Sequence, residues 1–344
     1  MRFTPREDQA EAIKRGTEAL LAGRNLLLVS PTGSGKSVIL AGLLERFPEA
    51  VLLVPTLDIG ISVYAKLDGA VGLSGLSEAK VRATLAANSI FTTKQYHNLL
   101  LSGKTLPPKY LLTDEAHHDT DDTHTVLFAA AGNPPRVGVT ATAFRGTPKE
   151  TAKLRGVWGE PYVAPSLRRA VDRGIIAKPD FSVWPLLNDD LIDVRGGEFV
   201  TRQVESALTD KMDDLIERMS GLCPNLWDRP TIIRCPGVAS AVMVAERCRA
   251  ANMPAVAVTG ESGTQYRQQV FQDCINRRAA LVQVKVVGEG IDIPARRLID
   301  LAPGLTISRQ PLLSVKMEGV LWECGTRPGL AEETGWERPA RLGM

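Results

Sequence analysis

Aromatic residues are scarce in this chain, 5% of 344 residues, and cysteine and histidine are scarcer still, at five and four. So few rings give little support to a base-stacking platform of the kind that grips unpaired nucleic acid. The cysteines, Cys223, Cys235, Cys248, Cys274 and Cys324, form no CxxC pair and no metal-finger spacing. Their odd number suits a reducing compartment, and they read as buried thiols. Charge of one sign is lacking too: 41 basic against 39 acidic residues leave a formal +2. Any basic surface must therefore be local, and composition neither demands nor excludes a polyanionic partner. No apolar run approaches the roughly 18 residues of a membrane span. The N-terminus, MRFTPREDQAEAI, is charged rather than leader-like. A cytoplasmic protein is expected, with no membrane partner. Internal repeats and low-complexity segments are also absent from the sequence.

What is present is ordinary for a folded protein, 44% hydrophobic and 23% charged residues. The length fits two domains better than one core. Short β-rich runs, NLLLVS (25–30), AVLLVP (50–55), SIFTT (89–93), YLLTD (110–114) and RVGVTAT (136–142), alternate with amphipathic stretches such as KSVILAGLLERF. That alternation predicts an α/β fold with parallel sheets and crossover helices. After Pro161 the rhythm weakens through several Pro and Gly breaks, which reads as a linker with one helix. It resumes with TIIRCPG, VASAVMVAERCRAA, PAVAVTG, GTQYRQQVFQDCINRR, ALVQVKV and RLIDLA. The expected division is a first domain over 1–165, a linker over 166–204 and a second α/β domain over 205–344.

Directly after NLLLV comes SPTGSGKS, Ser30 to Ser37. A phosphate cradle needs backbone N–H groups pointing inward at close range, hence glycines, followed by a helix whose N-terminal dipole faces the anion. Thr32, Gly33, Ser34 and Gly35 would form the cradle, Lys36 would reach the outer phosphates, and the Ser37 hydroxyl would ligate Mg²⁺. The strict pattern begins with Gly, where Ser30 stands. The bland alternative is a Gly-Ser turn between strand and helix, disfavoured by the coincidence of strand, loop, Lys-Ser pair and helix.

A metal-bound nucleotide needs a further carboxylate at a neighbouring strand end and a group that orients the attacking water. In YLLTDEAHHD, Asp114 ends an apolar strand and would hold Mg²⁺, while Glu115 would position or deprotonate the nucleophilic water. A polar loop after a strand is the simpler alternative. The cluster Asp114, His117, His118, Asp119, Asp121, Asp122 and His124 also has the donor types of a transition-metal site. No second ligand cluster completes it, and Asp119 to His124 read as solvated loop residues.

With SPTGSGKS and DEAH in place, the order of the remaining stretches resembles the superfamily 2 helicases and translocases. The likeness is to the DEAH-containing branch of type III restriction subunits and phage-encoded helicases, and it covers nearly the whole chain. The resemblance implies two tandem RecA-like P-loop NTPase domains with parallel sheets, one MgATP in the cleft, and nucleic-acid-stimulated ATP hydrolysis driving movement on DNA. FTPREDQ resembles the adenine-sensing segment, with Arg6 and Gln9 as its contacts; a Gln amide offers donor and acceptor together. Thr56 in VPTLDIG and Thr92 and Thr93 in FTTKQ resemble first-domain contacts to a nucleic-acid backbone. His117 and the Thr140 and Thr142 of TATAFRG would couple the nucleotide to domain motion, although Ala143 stands where Pro is usual. In the second half, TIIRCPG resembles the family's motif IV region, Arg267 in TQYRQQ lies where a phosphate-contacting Arg is common, and Gly290 and Asp292 in GEGIDIP match a segment that contacts ribose and the nucleic-acid strand.

One family motif is missing. QxxGRxxR, whose arginines stabilise charge on the transferring phosphate, has no match. Aligning the closing TRP puts Val320 at the glutamine, Glu323 at the glycine and Cys324 at the first arginine, leaving Arg327; the longer stretch before TRP also allows Arg309. An arginine finger contributes about 10³ to 10⁵ in rate, so two readings stand. One is an active ATP hydrolase using Arg327 or Arg309. The other is a nucleotide-gated nucleic-acid-binding protein, a decayed helicase with weak or no hydrolysis. A small-molecule kinase is a third, but it leaves GEGIDIP unexplained. With GLAEETGWERPARLGM following TRP, no accessory duplex-splitting domain is expected, and strand separation should be poor even where translocation occurs.

Overall fold

The computed structural model describes residues 4–73, 75–143, 148–176, 180–183, 187, 192–195, 198–222, 229–284, 286, 297–302 and 320–323. The chain divides into two compact units, Met1–Ile175 and Ile176–Met344.

The first unit runs α1 (Glu7–Leu21), β1 (Leu26–Val29), α2 (Lys36–Arg46), β2 (Ala50–Val54), α3 (Leu57–Tyr64), α4 (Glu78–Ala87), β3 (Ile90–Thr92), α5 (Thr93–Leu101) and β4 (Tyr110–Asp114). After a short 3₁₀ turn, Ala116–His118, come α6 (Asp122–Ala130), β5 (Arg136–Thr140), α7 (Pro148–Trp158), β6 (Tyr162–Val163) and α8 (Leu167–Asp172). Its strands form one sheet in the order β3-β2-β4-β5-β1-β6, and every pairing is parallel. Both faces are covered, as a parallel sheet requires. Along β1, Leu28 enters the core shared with α1 and α2, while Leu27 and Val29 pack with Ala116, Leu154 and Trp158 on the other side. A third apolar cluster joins Leu53 and Leu111 to Tyr96, Leu127 and Phe128 of α5 and α6. This period-two partition explains why the runs NLLLV and YLLTD are apolar throughout rather than alternating.

The second unit holds β7 (Asp180–Val183), a two-residue hairpin pair β8 (Val194–Arg195) and β9 (Glu198–Phe199), α9 (Thr201–Asp210), α10 (Met212–Leu222), β10 (Thr231–Arg234), α11 (Val238–Ala250), β11 (Ala255–Val258), α12 (Thr264–Ile275), β12 (Ala280–Gln283), β13 (Arg297–Asp300) and β14 (Val320–Glu323). Its main sheet is ordered β11-β12-β10-β13-β14-β7, again all parallel. One core gathers Leu208, Leu215, Met219, Ile233, Val244 and Ile299; Ile232, Val258, Val270 and Leu281 line the opposite face.

Two strands of this second main sheet, β7 and β14, carry no clear sequence signal. β7 lies within the stretch 166–204, read from sequence as a linker with one helix, yet it is hydrogen-bonded to β14 in the second sheet. Proline at 179 and 185 flanks it, and the sheet edge is where a strand so bounded fits. Val320–Glu323, aligned in sequence with the QxxG of the missing motif, is β14 itself. Of the cysteines, Cys235, Cys248 and Cys274 are buried free thiols, as read. Burial pushes Cys248 up to about 12 and Cys274 up to about 11. Cys223 and Cys324 lie outside the described residues. Among the described residues no helix is long and apolar enough to cross a membrane.

Candidate functional site

Because every strand of the first sheet is parallel, their carboxyl ends share one edge, and α/β proteins bind ligands along such edges. The order β4-β5-β1 puts three sequence-distant loops side by side there. These are Ser30–Gly35 after β1, Asp114 and Glu115 at the end of β4, and Thr140–Thr142 at the end of β5. The Ser30 N–H donates to the Thr140 carbonyl at 2.9 Å, tying the first loop to the third.

The loop after β1 has the geometry that its glycines predict. Gly33 and Gly35 stand in the left-handed region, at φ +80° and +87°, where a side chain is disfavoured. Gly35 meets a second constraint, since a Cβ there would come within 2.5 Å of Gln9 Nε2. Gly35 is also the N-cap of α2, so Lys36 and Ser37 open that helix. Ser30 does not need to be glycine, because its backbone is not left-handed. Its hydroxyl lies 2.6 Å from Ser34 Oγ. Ser34 Oγ donates its one proton to the Pro31 carbonyl at 2.5 Å, so Ser30 is the donor to Ser34. This buried serine pair braces the loop from inside, a role that pattern matching at the first position does not show.

Arg6 and Gln9 reach the same loop. Gln9 Oε1 accepts from the Arg6 backbone N–H at 3.0 Å, which closes the first turn of α1. Gln9 Nε2 then donates to the Ser34 carbonyl at 2.9 Å, and Arg6 Nη2 donates to that carbonyl at 2.6 Å. Asp8 steadies the guanidinium at 3.0 Å. The pair expected to sense adenine is thus built into the wall of the phosphate loop, with Gln9 only 3% exposed.

After β4 the chain turns sharply at Glu115, a non-glycine residue at φ +50°. Such residues cost of order 1–3 kcal/mol and persist where surrounding contacts fix them. The contacts are on both sides. The Glu115 N–H donates to Asp114 Oδ1 at 2.9 Å, and Glu115 Oε1 accepts from Lys36 Nζ at 3.0 Å. Glu115 Oε2 is buried and accepts no hydrogen bond among the described residues; His117 Nδ1 stands 3.4 Å from it. The same His117 Nδ1 lies 2.9 Å from Thr140 Oγ1. Thr140 Oγ1 spends its proton on the Thr142 carbonyl at 3.1 Å and accepts from the Thr142 N–H at 3.2 Å. Proton counting therefore makes His117 Nδ1 the donor. Gly138 in β5 permits this closeness, since a Cβ there would collide with Ala116 Cβ at 2.5 Å and the Trp158 ring at 2.8 Å.

The other predicted residues separate into three sets. Thr32, Ser37 and Asp114 belong to the same edge; Ser37 is half-buried and Asp114 is 9% exposed. Thr56 and Thr92 are N-caps of α3 and α5, their hydroxyls accepting from Ile59 N at 3.5 Å and Gln95 N at 3.3 Å. They follow adjacent strands, with Thr93 the first residue of α5. Arg267 lies in the second unit, where its Nη2 donates to the Gly260 carbonyl at 2.5 Å. Gly290, Asp292, Arg309 and Arg327 lie outside the described residues.

One sequence expectation is overturned. Asp119 and His124, read as solvated loop residues, are 1% and 8% exposed, because the turn after Glu115 folds back against β4 and β5. Hydrophilic sequence gave no sign of that burial. Among the described residues no group of His, Cys, Asp and Glu is arranged to hold a metal ion as a cluster.

The residues present fit a magnesium-bound triphosphate. Two left-handed glycines and a helix N-terminus face the anion's expected seat, Ser37 and Asp114 offer the hard oxygen donors that Mg²⁺ prefers, and Glu115 Oε2 is a buried acceptor with no hydrogen bond among the described residues.

Two parallel-stranded α/β units, one with a glycine-turned strand–loop–helix at its carboxyl edge, define the tandem RecA-like fold of the P-loop class. The fold of the Pyrococcus furiosus Hef helicase domain superposes with a TM-score of 0.56, at 16% identity, covering 96% of this chain and 97% of that one. Residues 2–145 match the family described as "Type III restriction enzyme, res subunit". The chain is 20% identical over 274 residues to a 51.5 kDa protein of a Lactococcus phage (isolate 7-9), spanning 78% of this chain and 56% of that protein. It is 28% identical over 147 residues to the DNA 3'-5' translocase XPB2 of Sulfurisphaera tokodaii, 41% of this chain and 31% of that protein. The chain thus spans only part of these relatives, 56% of the length of the first and 31% of the second.

Proposed function

We propose that the chain is a superfamily 2 DNA translocase of the DEAH type, related to restriction subunits and phage helicases, that hydrolyses ATP when bound to nucleic acid. The observation that carries this reading is the meeting of Lys36 and Glu115 at one sheet edge, beside the glycine cradle and Asp114.

In this reading Arg6 and Gln9 orient the adenine while holding the loop carbonyl, and the Lys36 ammonium exchanges Glu115 for the outer phosphates. The released Glu115 carboxylate then accepts the proton of the water that attacks the terminal phosphorus, and ADP leaves. Mg²⁺, held by Ser37 and Asp114, would supply charge neutralisation across the phosphates. The His117–Thr140–Thr142 chain links that event to the loop after β5. The capped N-termini of α3 and α5, at Thr56 and Thr92, are the proposed seats for strand phosphates, together with Thr93 and, in the second domain, Arg267. DNA as the polymer rests on the XPB2 resemblance. Gly290, Asp292 and Arg327 complete the proposed second-domain set, over the boundaries 1–165 and 205–344.

Steady-state ATP hydrolysis with and without single-stranded and duplex DNA tests the reading. DNA should stimulate turnover, and Lys36→Ala and Glu115→Gln should abolish it. Nucleotide binding with no turnover in the unaltered protein would return the gated-binding alternative instead.

A further inference from the structure

The loop that carries Glu115 and His117 must return to the sheet through α6, and its return is fastened by one buried ring. His124, in the first turn of α6, has a carboxylate at each nitrogen. Its Nδ1 lies 2.7 Å from Asp121 Oδ1, the oxygen that also accepts from the His124 N–H at 2.9 Å and so caps the helix. Its Nε2 lies 3.1 Å from Asp119 Oδ1. Asp121 is exposed, and half of that arrangement is an ordinary helix cap. Asp119 is different: it is 1% exposed, with the Thr113 hydroxyl and the Arg136 guanidinium as its other neighbours and Asp114 nearby. Arg136 is itself packed over Phe128, 4.3 Å from the ring centroid, and Trp158, 5.6 Å away.

A neutral imidazole carries one N–H, so two carboxylates on one ring require one further proton, on the ring or on a carboxyl. Burial pushes the Asp119 carboxyl well above its usual range, against Thr113 and Arg136, and burial likewise pushes His124 down. Both shifts favour Asp119 as the neutral acid, donating to Nε2, with Nδ1–H donating to Asp121. This buried bond joins the middle of the loop to the helix that follows, five residues beyond Asp114.

We propose that His124 is a positioning residue for hydrolysis, its bond to Asp119 holding the loop so that Glu115 keeps its left-handed turn and His117 its contact with Thr140. The role rests on the ATPase reading above. Loss of the bond lets the loop relax, and a misplacement of about 1 Å at a reacting group costs roughly 10²-fold in rate.

Three variants separate the two halves of the ring. His124→Phe keeps the ring volume and removes both nitrogens, Gln sets a polar group where Nε2 is, and Asn sets one where Nδ1 is. His124→Phe should lower the DNA-stimulated kcat roughly 10- to 100-fold with unchanged nucleotide affinity. His124→Gln should restore it and His124→Asn should not. The chain has four histidines, His97, His117, His118 and His124, so ¹⁵N-histidine spectra report the loop directly. The His117 Nδ1–H signal should move in the Phe and Asn variants and return in Gln. A Phe variant with unaltered kcat and an unmoved His117 signal overturns the proposal, as does rescue by Asn as complete as by Gln, which would reduce the ring to a helix cap. If His124→Phe fails to fold, Gln against Asn decides. If the unaltered protein turns over no ATP, the functional reading fails, and the His117 signal alone decides the positioning role.

Discussion

Lys36 Nζ and Glu115 Oε1 are 3.0 Å apart, with the two side chains only 12% and 10% exposed. The cation meant for phosphate and the carboxylate meant for water neutralise one another, each the other's counter-ion inside a nearly dry edge of the sheet.

Breaking a buried pair from one side leaves an uncompensated charge and costs about 3–5 kcal/mol, whereas removing both partners costs much less. Lys36→Ala should therefore lower the melting temperature more than Glu115→Gln, whose amide keeps a polar contact with the ammonium. The double variant should recover part of the Lys36→Ala loss. A melting double-mutant cycle measures this coupling. Strict additivity would mean that the pair is broken in solution.

Ser30 stands where the strict phosphate-loop pattern has glycine, and its hydroxyl donates to Ser34 rather than facing a ligand. Ser30→Ala should cost about 1 kcal/mol, the net worth of one hydrogen bond, and leave nucleotide affinity nearly unaltered. Denaturant melts together with nucleotide titration check both parts. A large fall in affinity with intact stability would put the hydroxyl on the nucleotide instead.

What the sequence made legible was local. Glycines, the Lys-Ser pair and the following helix are contiguous, so SPTGSGKS announces its own conformation, and YLLTDE announces a strand ending in two acids. The spacing of Arg6 and Gln9 was legible as well, because three residues close one helical turn. Their hold on the Ser34 carbonyl was not, since it depends on α1 packing against α2 and on a left-handed Gly35. Asp119 and His124 were misread because polar residues in a row signal solvent; only the return of the loop over Arg136 and Trp158 buries them. β7 escaped for a related reason, being four residues between prolines whose partner strand lies far along the chain.

The buried Asp119 carboxyl gives stability a pH dependence of known sign. Its pKa is raised on folding, above the roughly 3.9 of an unfolded aspartate. Its contribution is therefore fully present below that value and lost as pH rises through the folded pKa. His124, pushed down by burial, acts oppositely and loses stability as pH falls below about 6.5. Against Asp119→Asn, which cannot titrate, the unaltered protein should compare most favourably near pH 4 and progressively less well toward neutrality. Melting curves of both proteins across that range measure the difference. A constant difference would show that Asp119 titrates as an ordinary exposed carboxylate.

In the second unit, α11 opens at Gly237, which has no side chain to cap it, and the cap arrives from another helix. Glu205 of α9 accepts from the Ser240 N–H at 3.1 Å and lies 3.1 Å from Ser240 Oγ. The Gly237 N–H in turn donates to Ser240 Oγ at 3.1 Å. A carboxylate there meets both an unpaired amide and the positive end of the helix dipole, and it fastens α9 to the sheet's own crossover helix. Glu205→Ala should cost about 1 kcal/mol, within the range for a lost N-cap, and Glu205→Gln less, because an amide oxygen still accepts from Ser240. Ser240→Ala should lose part of the same energy without adding to Glu205→Ala, since both act through one contact. Denaturant unfolding of the three variants and the double variant measures this. Full additivity would show that Glu205 and Ser240 stabilise α11 separately.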